Sequence, residues 1–225
     1  MGISVQHKIT SYILKCIVVV SAVAGVLLSY YAGRYSFMGG SRVFMFFTIQ
    51  SNIAIAVICL IGGILMLRDT AEKDFWYVIK FVGTVAITLT GVVFCFVLAP
   101  TMGRYAWRPH NVLTHVVVPL AAVFDFFVTG RYGKIKKKCV LFVTLPPLAY
   151  AIYAGIGYVA GWQFAEGINY PYFFLNWGSP AGAFGFTKEL PFMGCVWWIL
   201  ALFVFLIIVG YVYLKILDLL VKKKR

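Results

Sequence analysis

The side chains with chemistry to offer lie where hydrocarbon is expected. In the stretch FFTIQSN, Phe46 to Asn52, four hydrogen-bonding side chains (Thr48, Gln50, Ser51 and Asn52) fall within five positions of an otherwise apolar run. Asn111, His115 and Asp125 interrupt a second such run, and Lys80 a third. A threonine hydroxyl is a weak nucleophile at its own pKa and needs a neighbouring base to take its proton. An imidazole, which titrates near neutrality, suits that task. Side-chain amides such as Asn52 and Asn111, or backbone N–H groups, are donors that can hold a developing oxyanion. Asp125 lies ten residues beyond His115, about 15 Å along a helix, too far to complete a triad. The machinery these residues can build is a Thr48–His115 dyad, with Glu166 from a connecting loop as a further candidate. The plain alternative for Thr48 is helix packing, its hydroxyl bonded to the carbonyl of the preceding turn.

The elements that must carry these groups are membrane helices. Of the 225 residues, 62% are hydrophobic and 12% charged, whereas soluble domains are about half apolar and a quarter charged. About 20 apolar residues cross a bilayer. Runs of that length lie at about 12–32, 43–66, 75–98, 109–129, 139–160 and 191–214. They predict an all-α fold, a single bundle of six transmembrane helices forming one domain over residues 1–225. Ser21–Gly25 contains an A-x-A-like cleavage site, but apolar sequence continues past it, so the first run is read as a retained helix. Fifteen of the twenty lysines and arginines lie at the N-terminus, around the 2–3 and 4–5 connections and in the tail. That bias predicts both termini in the cytoplasm. It also accounts for the net charge of +13, so nucleic acid, which needs a basic face on a soluble fold, is not an expected partner. The five cysteines are scattered without a C-x-x-C. No disulfide framework, metal site or cofactor is expected.

Depth then pairs the polar groups. Thr48 lies six residues beyond Arg42 and His115 seven beyond Arg108, about 9 and 10 Å below the outer surface at the helical rise. Thr48 and Asn52 are four apart and share a helix face with Ser51 close by; Asn111 and His115 are also four apart. If the two faces meet, Ser51, Asn52 and Asn111 become substrate or oxyanion contacts around the dyad, while Gln50 points away. The external connection, residues 161–190, is rich in aromatics and reads either as an interfacial belt or as a lid. Tyr170 within it is a further candidate contact. Near the cytoplasmic end, Lys80 and Asp125 are expected to form a structural ion pair, because each charge alone in lipid is costly. Pro146 and Pro147 are expected to break or kink the fifth helix.

Three pieces in order, FFTIQSN, HVVVPL from His115 to Leu120 with Asp125 after it, and YPYFFLNWGSP from Tyr170 to Pro180, resemble the androgen-induced-gene-like six-transmembrane family and its bacterial relatives. The six-span plan fits the same family. The resemblance implies an intramembrane threonine hydrolase; the animal members cleave fatty acid esters of hydroxy fatty acids. It puts their nucleophile on Thr48 and their histidine on His115. Val116, Val117 and Val118 follow the histidine here, where the animal proteins are richer in hydroxyls. The expected function is a membrane-embedded lipid ester hydrolase, its substrate entering from the outer leaflet of what is expected to be a bacterial plasma membrane. The alternative is a non-catalytic lipid binder or transporter using the same polar cluster, and a third reading is a structural subunit. Lipid is the expected partner, and oligomeric state is left open.

Overall fold

The computed structural model describes residues 5–34, 40–68, 74–129 and 135–222. It contains six helices long and apolar enough to cross a membrane: Val5–Arg34, Phe47–Leu67, Asp74–Trp107, Pro109–Thr129, Lys137–Val159 and Cys195–Leu220. The protein is an all-α, multi-pass integral membrane protein. No β-strand occurs among the described residues, which hold only two isolated bridges in the long connection. The outward faces carry exposed Val20, Leu27, Val57, Leu60, Phe124, Ile152 and Val204. Such faces suit a bilayer, where lipid replaces water and every backbone group must bond within its own helix.

The spans are not uniform rods. The first is one helix, α1 (Val5–Arg34). The second, α2 (Phe47–Leu67), is preceded by a 3₁₀ turn, Gly40–Met45. The third runs from α3 (Asp74–Val93) through a π turn, Phe94–Leu98, into the short α4 (Ala99–Met102). The fourth begins as α5 (Pro109–Val112), widens into a π turn, Leu113–Val117, and continues as α6 (Val118–Thr129). The fifth starts as a 3₁₀ helix, Lys137–Thr144, and becomes α7 (Leu145–Val159). Pro146 and Pro147 fall in the first turn of α7, where a missing N–H costs nothing. They mark the change of helix type rather than a kink within one type. The last span is α8 (Cys195–Lys222).

α1 packs along α2 and α6, and α3 packs on α2 and α6. Val18, Ala22, Ile55, Cys59, Ile87 and Val118 form one core among these helices. A second core joins Phe81 and Val85 of α3 to Phe126, Val140, Val143, Leu206 and Tyr213. The sixth span packs closely on the 3₁₀ part of the fifth, and α7 diverges from it above Leu145. The long connection folds into that opening. Its Phe164, Phe174 and Leu175 are buried with Phe46, Tyr150 and Ala154, while Phe184 and Phe186 stay exposed. The connection is thus a cover on one side and an aromatic fringe on the other.

Asp125 has a closer partner than the expected one. Its close partner is Lys15 of α1, whose Nζ lies 2.6 and 2.7 Å from the two carboxylate oxygens. Ser11 donates a short hydrogen bond to the same carboxylate. Lys80 stands 3.7 Å from Asp125 and donates to Thr129 Oγ1 at 2.6 Å. The expected Lys80–Asp125 pair is therefore the weaker arm of a three-charge cluster. Lys15, expected just inside a first span starting near residue 12, lies deeper, because α1 starts at Val5 and carries it into the bundle. Gly62 makes room for it, since a Cβ there would stand 3.2 Å from Lys15 Cε. All three charged groups are buried.

Candidate active site

Thr48 is the second residue of α2, at the helix N-terminus rather than a turn and a half inside it, because residues 40–45 form the separate 3₁₀ turn. His115 is the middle residue of the π turn in the fourth span. Thr48 Oγ1 and His115 Nε2 stand 3.2 Å apart.

The surrounding bonds assign the tautomer. Thr114 donates its hydroxyl proton to the His110 carbonyl at 2.8 Å. That hydroxyl can only accept from His115 Nδ1, 3.0 Å away, and the Asn111 carbonyl, also 3.0 Å from Nδ1, can only accept as well. Both partners require a proton on Nδ1, which leaves Nε2 with a lone pair facing Thr48. A backbone carbonyl and a hydroxyl thus orient the ring in the place a carboxylate takes in a triad. The imidazole also stacks on Phe94, with centroids 3.9 Å apart at 22°. Phe94 opens the π turn of the third span, so the two widened turns stand side by side.

Each π turn ends two residues before a proline. Val118 N–H bonds the Leu113 carbonyl and Ala99 N–H the Phe94 carbonyl, both five residues back; Pro119 and Pro100 follow. A proline offers no N–H, and its ring crowds the carbonyl four residues earlier, which favours a wider turn. One consequence lies in the site. With Val118 bonded to Leu113 and no N–H on Pro119, the Thr114 carbonyl has no helical partner. Asn52 Nδ2 supplies one at 3.0 Å, and also donates to the Thr48 carbonyl at 2.8 Å.

Asn52 is therefore a clamp between the two helices. Both amide protons are engaged on carbonyls, so it is not free as an oxyanion donor, and its buried Oδ1 has no partner. Ser51 faces α3, bonding Thr90 Oγ1 at 2.8 Å and the Thr48 carbonyl at 3.1 Å. The Asn111 side chain bonds the Tyr105 carbonyl at 3.4 Å, away from Thr48. The four-residue spacing that aligns side chains in an α-helix fails across a widening turn, and only the Asn111 carbonyl reaches the histidine. Gln50 donates to the Phe44 carbonyl at 3.1 Å, tying α2 to the 3₁₀ turn before it. Glu166 is exposed on the long connection. The hydroxyl that reaches Thr48 belongs to Tyr172, not to Tyr170. Tyr172 accepts from Thr48 N–H at 3.3 Å, and its oxygen is 3.4 Å from Thr48 Oγ1. Nothing in YPYFF distinguishes the two tyrosines before the chain is folded.

Close backbone packing holds the histidine turn. A Cβ on Gly91 would stand 2.9 Å from the His115 carbonyl oxygen and 3.2 Å from Pro119 Cβ. Gly91→Ala is expected to lower stability in detergent by about 1–3 kcal/mol through overpacking. An unchanged unfolding midpoint would show that the turn gives way easily.

Thr48 opens onto a pocket between the diverging fifth and sixth spans. Phe47, Thr90, Val93, Tyr150, Tyr172 and Leu202 line it with Thr48. Its cavity volume is about 60 Å³, well below the several hundred Å³ usual for small-molecule sites. His115 does not line it, so the imidazole stands behind Thr48. Compared with protein-family models, with curated proteins and with solved structures, the chain matches none.

Proposed function

We propose that the protein is a membrane-embedded hydrolase of lipid carboxylic esters, with Thr48 as nucleophile and His115 as general base. The observation that carries the reading is the 3.2 Å contact between Thr48 Oγ1 and a His115 Nε2 left free to accept a proton. The resemblance to the androgen-induced-gene-like family supports it, as does an apolar pocket that presents Thr48. The basic connections favour cytoplasmic termini, which puts Thr48 toward the outer leaflet, with lipid entering between α7 and α8.

In this reading Thr48 Oγ1 attacks the ester carbonyl carbon as its proton passes to Nε2, and the carbonyl π pair moves onto oxygen. The tetrahedral centre collapses, the bond to the alcohol oxygen breaks, and Nε2 returns the proton to that oxygen. Water, deprotonated by the same imidazole, then cleaves the threonyl ester and releases the acid. The Nδ1 partners stabilise the transient imidazolium, and the N-terminal dipole of α2 favours negative charge beside Thr48.

A lipid binder built on this cluster would need free amides at Asn52 and Asn111; both amide protons of Asn52 are engaged on carbonyls, and the Asn111 amide is turned to the Tyr105 carbonyl. The test is labelling of the detergent-solubilised protein with a long-chain fluorophosphonate, read by intact mass and peptide mapping. One adduct, on Thr48, is expected, and none in Thr48→Ala or His115→Ala. Labelling that survives Thr48→Ala would overturn the proposal.

A further inference from the structure

We infer that Tyr172 is an oxyanion donor of this site, acting with the backbone N–H of Thr48 on the carbonyl oxygen of the substrate. The inference rests on the hydrolase reading and adds a residue which that reading does not require.

The geometry comes from both sides of Thr48. His115 stands behind its hydroxyl, whereas Tyr172 lines the pocket in front of it. The single hydroxyl proton of Thr48 is directed at Nε2, so the Tyr172 O–H is the donor in its 3.4 Å approach to Thr48 Oγ1. The Tyr172 oxygen also accepts the Thr48 N–H. This is a first-turn amide of α2, which has no side-chain cap, and such amides are otherwise unpaired. The phenol oxygen thus occupies the amide that an oxyanion would take. When a carbonyl is held against Thr48 Oγ1, the two donors lie together beside it, one a phenol O–H and one a helix N-terminal N–H. Donors fixed in advance around developing charge are the usual large contribution to acyl-transfer catalysis.

The phenol is held firmly enough to serve. Its ring stacks on Phe174 at 5.1 Å and 4° and meets Phe46 edge to face at 5.7 Å. The ring of Tyr150 lies 6.2 Å away. Burial pushes the Tyr172 phenol above its ordinary range, so it keeps its proton at neutral pH. The extended backbone at Tyr172 leads directly into the 3₁₀ turn Phe173–Leu175, whose buried Phe174 and Leu175 anchor it in the cover.

The test is Tyr172→Phe, which preserves the ring contacts. Using a neutral long-chain ester, kcat is expected to fall about 10²–10³-fold with KM little changed. Affinity for a trifluoromethyl ketone, whose adduct with Thr48 carries an oxyanion, should fall in parallel. If Tyr172→Phe does not fold, difluorotyrosine at position 172 keeps the shape, and its kcat should be lost at a lower pH than in the wild type, as the phenol ionises. A kcat within threefold of wild type, an equal loss in kcat and KM without weaker ketone binding, or an unshifted pH profile would overturn the assignment. Thr48→Ala separates the two proposals. If Thr48→Ala is inactive and Tyr172→Phe is not impaired, only the oxyanion assignment fails; if Thr48→Ala stays active, the hydrolase reading itself fails.

Discussion

His115→Ala is expected to slow ester hydrolysis about 10²–10⁴-fold, the usual contribution of a positioned general base. The loss should fall on kcat, because the pocket that holds the chain is lined by other residues. Thr48→Ser should retain a measurable share of activity, since it keeps a hydroxyl at the same distance from Nε2, whereas Thr48→Ala should retain none above background. Progress curves with a neutral long-chain ester in detergent micelles decide the matter. An His115→Ala variant within threefold of wild type would remove the imidazole from the mechanism. The structural reason for expecting so large an effect is that Nδ1 has two acceptors and no carboxylate. All the basicity delivered to Thr48 passes through this one ring.

The second large effect concerns stability. Asp125→Leu removes the only carboxylate that the described structure places between Lys15 and Lys80. Breaking a buried pair by deleting one partner costs about 3–5 kcal/mol, because the remaining charge is stranded; here two ammonium groups are stranded together. The variant is expected to lose most of its folded yield, or at least that much stability, measured by denaturant titration in mixed micelles. Lys15→Met should cost more than Lys80→Met, because its contact is 2.6 Å against 3.7 Å and Lys80 keeps Thr129. The triple replacement Lys15→Met, Lys80→Met, Asp125→Leu should recover much of the loss, since a well-packed apolar set removes the desolvation cost. Wild-type stability in Asp125→Leu alone would show that the cluster is hydrated.

The six spans were legible because hydrocarbon thickness sets a minimum apolar length, and no other fold class asks for it six times. The meeting of Thr48 and His115 was legible too, because two helices entering from one side place residues at comparable depths beside each other. What depth cannot supply is direction around the helix. Asn52 was assigned to the dyad as a donor; it became a clamp because a π turn frees the Thr114 carbonyl, and that turn depends on how Pro119 is accommodated. Asn111 was lost from the site for the same reason. Lys15 was placed just inside the first span, but its depth and its partner were missed because charge counts near a terminus carry no information on where the helix begins. Tyr172 was missed in favour of Tyr170 because a loop has no periodicity to say which of two tyrosines turns inward.

The widened turn around His115 has one more consequence. A π turn is an α-helix with one residue inserted, and one residue is worth about 100° of rotation. The fourth span must satisfy two bearings at once. Toward the end that carries the termini, Asp125 must point at Lys15 and Lys80; ten residues away, His115 must point at Thr48. A uniform screw sets both bearings together, so any sequence change that re-aimed one would re-aim the other. The inserted residue acts as a slip joint between them. The anchoring half and the aiming half can then be adjusted separately, and helices that carry the same buried charges are free to present different groups to Thr48.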